Sequence, residues 1–175
     1  MLQAAGRAKA RQRASVPAFA RGLSSLAGIL GKAAAHAAAR KIDESAFINA
    51  RLFPDMFPLS RQVYIATDFA RGTVARLAGE EPPKWDDQEA TFADLIARVE
   101  RAHAAVTAFT AAQIDGSEAR SIVRPVRGQP HTFNGLNYLL QYALPNFYFH
   151  SATAYGILRS NGVELGKTDF IGTLD

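Results

Sequence analysis

The sequence predicts an all-α domain, an up-and-down four-helix bundle with a small β-hairpin between its third and fourth helices. Three observations predict it. Apolar residues recur at alternating three- and four-residue steps in four separate stretches, which places one apolar seam on one face of each helix. Connections bearing proline or glycine separate the stretches. The one long segment without that period, 111–133, carries β-branched residues around Arg127-Gly128, the pattern of a hairpin.

The first helix is expected from about Val16 to Arg40, with Ser15 as its cap and Pro17 in the first turn, where a missing N–H costs little. Its seam is Val16, Phe19, Leu23, Leu26, Leu30, Ala34 and Ala37, with His36 beside it. Asp43 opens a short helical turn over about Glu44 to Leu52. The stretch 51–58 follows, interrupted by two prolines and unusually apolar for a connection. Its side chains are expected to be buried over one end of the bundle, with Arg51 and Asp55 able to pair across it. Pro58 starts the second long helix, to about Ala78, on a seam of Leu59, Val63, Ala66, Ala70, Val74 and Leu77; Gly79 is its stop.

Residues 79–90 form a polar loop that holds Trp85, the single tryptophan. Thr91 caps the third helix and Asp94 answers it reciprocally. The seam Phe92, Leu95, Val99, Ala102, Val106 and Phe109 ends near Thr110, with His103 at its flank. The last helix runs from about Gly135 to Asn161, with Leu136, Leu140, Ala143, Phe147, His150, Ala154 and Ile157 on one face. Pro145 should bend it. The tail from Val163 has no period.

At 175 residues the chain is expected to fold as one domain, 15–175, behind a disordered basic leader, 1–14. Arg7, Lys9, Arg11 and Arg13 account for the whole net charge of +4, and the rest is balanced. A balanced body argues against nucleic-acid binding, which needs a basic stripe. The leader also has the composition of a transit-peptide fragment or a basic arm. The absence of cysteine excludes disulfides, thiolate metal sites and a cysteine nucleophile, and fits a reducing compartment; the cytoplasm is the expected location. No apolar run approaches the roughly 20 residues of a membrane span, and no membrane partner is expected.

The informative constellation is Asn146, His150 and Tyr155 on the last helix, with Gln62 on the second. Asn146 and His150 are four apart and project from one face, one turn apart. A polar pair on the packing face of a bent helix is where bundles commonly build a buried site. A lone histidine on such a face is also often a core residue satisfied by a carbonyl or an amide. Small-molecule or catalytic use and metal ligation are the alternatives. Metal is disfavoured, because zinc and similar ions want three or four histidine, cysteine or carboxylate ligands and only His150 qualifies. No cofactor is expected. Glycine-rich phosphate loops and the nucleophile elbow of hydrolases are absent from the sequence.

Four segments carry a family resemblance: Ala14-Ser-Val-Pro-Ala-Phe-Ala-Arg-Gly-Leu23, Arg51-Leu-Phe-Pro-Asp-Met-Phe-Pro-Leu59 with Gln62, Ala112-Gln-Ile-Asp-Gly-Ser-Glu118, and Leu144-Pro-Asn-Phe-Tyr-Phe-His150. Together they resemble a bacterial and fungal family of unknown function within the DinB/YfiT-like superfamily, over about Ser15 to Gly172. The resemblance implies a four-helix bundle, often dimeric, so a homodimer is expected. Better-known members of the superfamily are metal-dependent, several of them thiol-dependent transferases or isomerases. Their metal sits on one histidine of the second helix and a His-x-x-x-His pair of the fourth. Counting back from Leu158-Arg159 and Asn161-Gly162, His150 takes the second place of that pair, Asn146 the first and Gln62 the second-helix position. Two of three ligands are thus amides, which bind divalent transition metals poorly. Two readings follow. In one, Gln62, Asn146 and His150 form a hydrogen-bonded cluster that binds a small ligand or stabilises the fold. In the other, the protein is an enzyme of the superfamily type, with His150 as general base or weak metal ligand.

Overall fold

A computed structural model describes residues 2–173, with side chains from Ser15 onward. In chain order the elements are α1 (Leu2–Arg40), α2 (Glu44–Ile48), α3 (Leu59–Ala78), α4 (Phe92–Thr107), α5 (Ala111–Ile114), β1 (Ser121–Val126), β2 (Gln129–Asn134), α6 (Gly135–Asn137), α7 (Leu144–Ser160) and α8 (Lys167–Ile171). A π-helical stretch, Tyr138–Ala143, joins α6 to α7. The domain is a helical bundle with one antiparallel hairpin among its described residues. α1 lies along α4 and α3 along α7, while α3 also meets α4 and α7 also meets α1.

The seams close on one core. Phe19, Leu23, Leu26 and Leu30 of α1, the whole expected seam of α3, Phe92, Leu95, Val99, Ala102 and Val106 of α4, and Phe147, Ala154 and Ile157 of α7 are all buried. Each fully buried leucine or phenylalanine contributes about 1.5–3 kcal/mol of transfer free energy. The third helix starts as expected: Asp94 N donates to Thr91 Oγ1 at 3.1 Å, and Thr91 N donates to Asp94 Oδ2 at 3.0 Å. Gly79 ends α3 at φ 87°, the left-handed conformation that a side chain would disfavour. The hairpin turns at Arg127-Gly128, with Val126 opposite Gln129 and both turn residues at positive φ.

Several expectations are corrected. α1 runs through Ser15 and Pro17 instead of starting there, and Ser15 is buried rather than an exposed cap. The expectation of a disordered leader over residues 1–14 lies outside the described side chains. α2 stops at Ile48, short of Leu52, and α4 stops at Thr107, after which Thr110 and Gln113 start the single turn of α5. The loop 51–58 does not bury its apolar side chains: Phe53 is 64% exposed, and Leu52 and Phe57 are about half exposed. Leu52 leans on α7, beside Gly156. Arg51 donates to the Met56 carbonyl of its own loop instead of pairing with Asp55.

The last helix neither breaks nor simply bends at Pro145. Proline has no N–H for the Gln141 carbonyl, and its ring would crowd that oxygen in an α-turn. The wider π turn just before Pro145 relieves the crowding. It also adds a residue to the turn, which moves the buried face. Tyr138 and Leu139 face the core, whereas Leu140, expected there, is half exposed. The tail beyond Val163 is ordered as far as it is described: Val163 and Leu165 are buried, and α8 packs on α1, tied by Lys32 Nζ donating to Asp169 Oδ1 at 2.7 Å.

Candidate functional site

The site begins at the first turn of α3. Gln62, 1% exposed, donates its Nε2 to the Phe57 carbonyl at 3.0 Å, which fixes the amide with its oxygen pointing the other way. That oxygen meets His150 of α7: Nδ1 and Gln62 Oε1 are 2.7 Å apart. An amide oxygen only accepts, so Nδ1 must carry the proton. In the neutral ring the lone pair is then on Nε2. That atom has no hydrogen-bond partner among the described residues and is not sealed from solvent.

His150 is 9% exposed, and burial lowers its pKa from 6.5 to about 4. Removal from water penalises the imidazolium, and no carboxylate stands near enough to offset it. Phe69, two turns along α3 from Gln62, lies nearly parallel to the imidazole, with centroids 6.4 Å apart at 17°. Phe149 presents its edge at 5.2 Å. The row of rings continues through Tyr142, 5.5 Å from Phe69, to Phe133 of β2, 5.1 Å from Tyr142. The hairpin is thereby connected to His150 by aromatic contacts.

Of the residues singled out in the sequence, Gln62 and His150 come together as expected. Asn146 shares the His150 face but is not bonded to the pair; its Nδ2 donates to the Tyr142 carbonyl at 2.7 Å. Tyr155 is elsewhere. Its hydroxyl reaches the Leu165 carbonyl at 3.4 Å and its ring meets Phe170 edge-on, so it anchors the tail. His36 packs edge-on against Phe47. The cavities beside Ser25, Arg101, His36 and Phe147 are lined by residues other than Gln62, Asn146 and His150.

The donor set does not fit a resident metal. Among the described residues, no group of three or more His, Asp or Glu side chains converges. The Gln62 oxygen is engaged by Nδ1, and the Asn146 amide nitrogen is engaged by a backbone carbonyl. One imidazole nitrogen and the Asn146 amide oxygen remain, short of the three or four ligands a transition metal takes.

A second polar centre was missed. Arg98 of α4 is fully buried and holds the 79–90 loop against α3. Its Nε donates to Thr67 Oγ1 at 3.0 Å, Nη1 to the Asp86 carbonyl at 2.9 Å and to both Glu89 oxygens at 3.1 Å, and Nη2 lies 3.0 Å from Asp87 Oδ1. Trp85 packs beneath Arg71 and Arg101, whose guanidinium carbons are 4.1 and 3.8 Å from its ring centre. The signal was present in the sequence: an arginine one step from the seam residues Leu95 and Ala102, and a loop carrying Asp86, Asp87 and Glu89.

Residues 12–171 match the model of a family described as Domain of unknown function (DUF1993). The chain belongs to this family. The protein is also similar to a solved structure described as a DinB family member from Shewanella denitrificans. The two are 39% identical, with a TM-score of 0.89, over 95% of this chain and 94% of that one. This DUF1993 protein is therefore a DinB-like domain. No match is found among curated proteins. Among its described residues no helix is long and apolar enough to cross a membrane.

Proposed function

We propose that this DUF1993 protein is a small-ligand-binding DinB-like bundle, in which an amide–imidazole pair stands where the superfamily resemblance places a metal. The observation that carries the reading is the 2.7 Å contact between His150 Nδ1 and Gln62 Oε1. It fixes one tautomer and leaves Nε2 as an unpartnered acceptor on a face lined by aromatic rings. Binding is favoured over general-base catalysis on proton affinity. An imidazole with a pKa of about 4 holds a proton too weakly to be an efficient base near neutral pH.

The test is a metal analysis together with a nitrogen NMR spectrum of the full chain, purified without a histidine tag. The reading expects no stoichiometric zinc, nickel or iron, and a His150 ring that keeps Nδ1–H and a pyridine-like Nε2 at pH 7. A stoichiometric metal, or a proton on Nε2, would restore the enzymatic alternative. The homodimer implied by the resemblance belongs to the same reading; sedimentation equilibrium checks it, and a monomer mass at all concentrations removes it.

A further inference from the structure

On the small-ligand reading just given, His150 Nε2 is one acceptor offered to a guest, and the residue one turn earlier offers another. Asn146 uses its Nδ2 on the Tyr142 carbonyl, and its Oδ1 has no donor among the described residues. Residues four apart on a helix stand roughly 5–6 Å apart. Two acceptors without donors therefore stand one turn apart on α7, and among the described residues no carboxylate is bonded to either.

The surface around them is aromatic. Phe149 is 57% exposed beside the imidazole, and Phe69, Tyr142 and Phe133 are half-buried. Each bland guest fails on one count. An anion would meet acceptors. A hydrocarbon would cover both acceptors and leave them unpaired, which costs about 1–3 kcal/mol each. An aliphatic alcohol would satisfy an acceptor and make poor use of the rings.

We infer that the site takes a small, flat, aromatic molecule bearing an N–H or O–H donor, of which phenol and indole are the simplest. The donor bonds Nε2 of His150, and the ring packs against Phe149 and the exposed part of Phe69. Aromatic pairs contribute about 0.5–1.5 kcal/mol beyond area burial.

The experiment titrates the full-length, nitrogen-15-labelled protein with four probes: phenol, indole, toluene and cyclohexanol. The His150 Nε2 resonance is followed throughout. Phenol and indole are expected to shift it saturably, up to roughly tenfold more tightly than cyclohexanol does. Toluene is expected to leave it in place. In Phe149→Ala the preference for phenol over cyclohexanol is expected to shrink while Nε2 keeps its tautomer. Equal affinity for cyclohexanol overturns the aromatic class and leaves the binding reading intact. No response to any probe overturns the inference, and the metal content and tautomer then judge the broader reading on their own.

Discussion

The Gln62 amide oxygen and His150 Nδ1 meet at 2.7 Å across 88 residues of sequence, tying the first turn of α3 to the middle of α7. Because the same amide also donates to the Phe57 carbonyl, one side chain sets the direction of the imidazole and the entry of the chain into α3.

Replacing Gln62 by leucine removes both bonds and leaves Nδ1–H and the Phe57 carbonyl without partners. Stability should fall by about 1–3 kcal/mol, the cost of a buried group left unbonded. Denaturant unfolding measures it, and an unchanged midpoint would mean the bond contributes nothing. Gln62→Glu should act differently. A carboxylate beside Nδ1 favours the imidazolium, so the His150 pKa should rise from about 4.

The lowered pKa of His150 has a signed consequence for acid stability. Above pH 6.5 the ring is neutral in both the folded and the unfolded chain. Between 6.5 and about 4 only the unfolded chain takes up the proton, so stability declines as pH falls through that window. The slope from this residue is at most about 1.4 kcal/mol per pH unit. His150→Gln should flatten the profile in this range; a parallel profile would show that His150 is not buried as a neutral ring.

Arg98→Met strips the hub from Glu89, Asp87 and Thr67, leaving carboxylates facing an apolar side chain. The carboxylates left behind are partly solvated, so the cost should be that of lost charge-assisted hydrogen bonds, about 1.5–3 kcal/mol. Since Trp85 is the only tryptophan and is packed in this centre, its emission should shift to the red as the loop loosens. Unchanged emission would place the hold on the loop elsewhere.

Gly22 lets α1 approach α7. A Cβ at this position would lie 2.6 Å from Phe147 Cε1, and that ring is itself fully buried. Gly22→Ala should therefore destabilise by about 1–3 kcal/mol, the usual cost of overpacking. Trimming the ring with Phe147→Leu in the same chain should recover part of the loss. If the double variant is as unstable as the sum of the singles, the two sites are not in contact.

Ser25 and Ser151 are buried with hydroxyls that find no partner among the described residues. Thr67 and Thr153, by contrast, bond back to carbonyls four residues earlier. Deleting an unsatisfied hydroxyl removes a desolvation cost, so Ser25→Ala and Ser151→Ala should each raise the melting temperature. A lowered value in either variant contradicts this account.

The four seams, the reciprocal cap of Thr91 and Asp94, and the Arg127-Gly128 hairpin were legible because each is local, set by side-chain spacing and turn chemistry within a few residues. Which seam meets which was not, since α1 against α4 and α3 against α7 are decided only when all four close. The exposed Phe53 and Phe57 defeated the expectation that apolar loops bury themselves; nothing in the loop's own composition says whether a surface is waiting for it. At the site, spacing placed Gln62, Asn146 and His150 on facing helices. It could not tell that the Tyr142 carbonyl would claim the Asn146 amide, nor that Tyr155 would turn to the tail.

The widened turn at Tyr138–Ala143 stores one residue more than an α-turn of the same rise. It therefore absorbs a residue between the hairpin and His150 without turning one about the helix axis relative to the other. Relatives that shorten this stretch by one residue would regain α periodicity with little rotation of what precedes it, because the wider turn already takes up the extra residue. The aromatic row from Phe133 to Phe69 would then keep its alignment, whereas a residue lost from an α-turn of α7 itself would turn the row by about 100°.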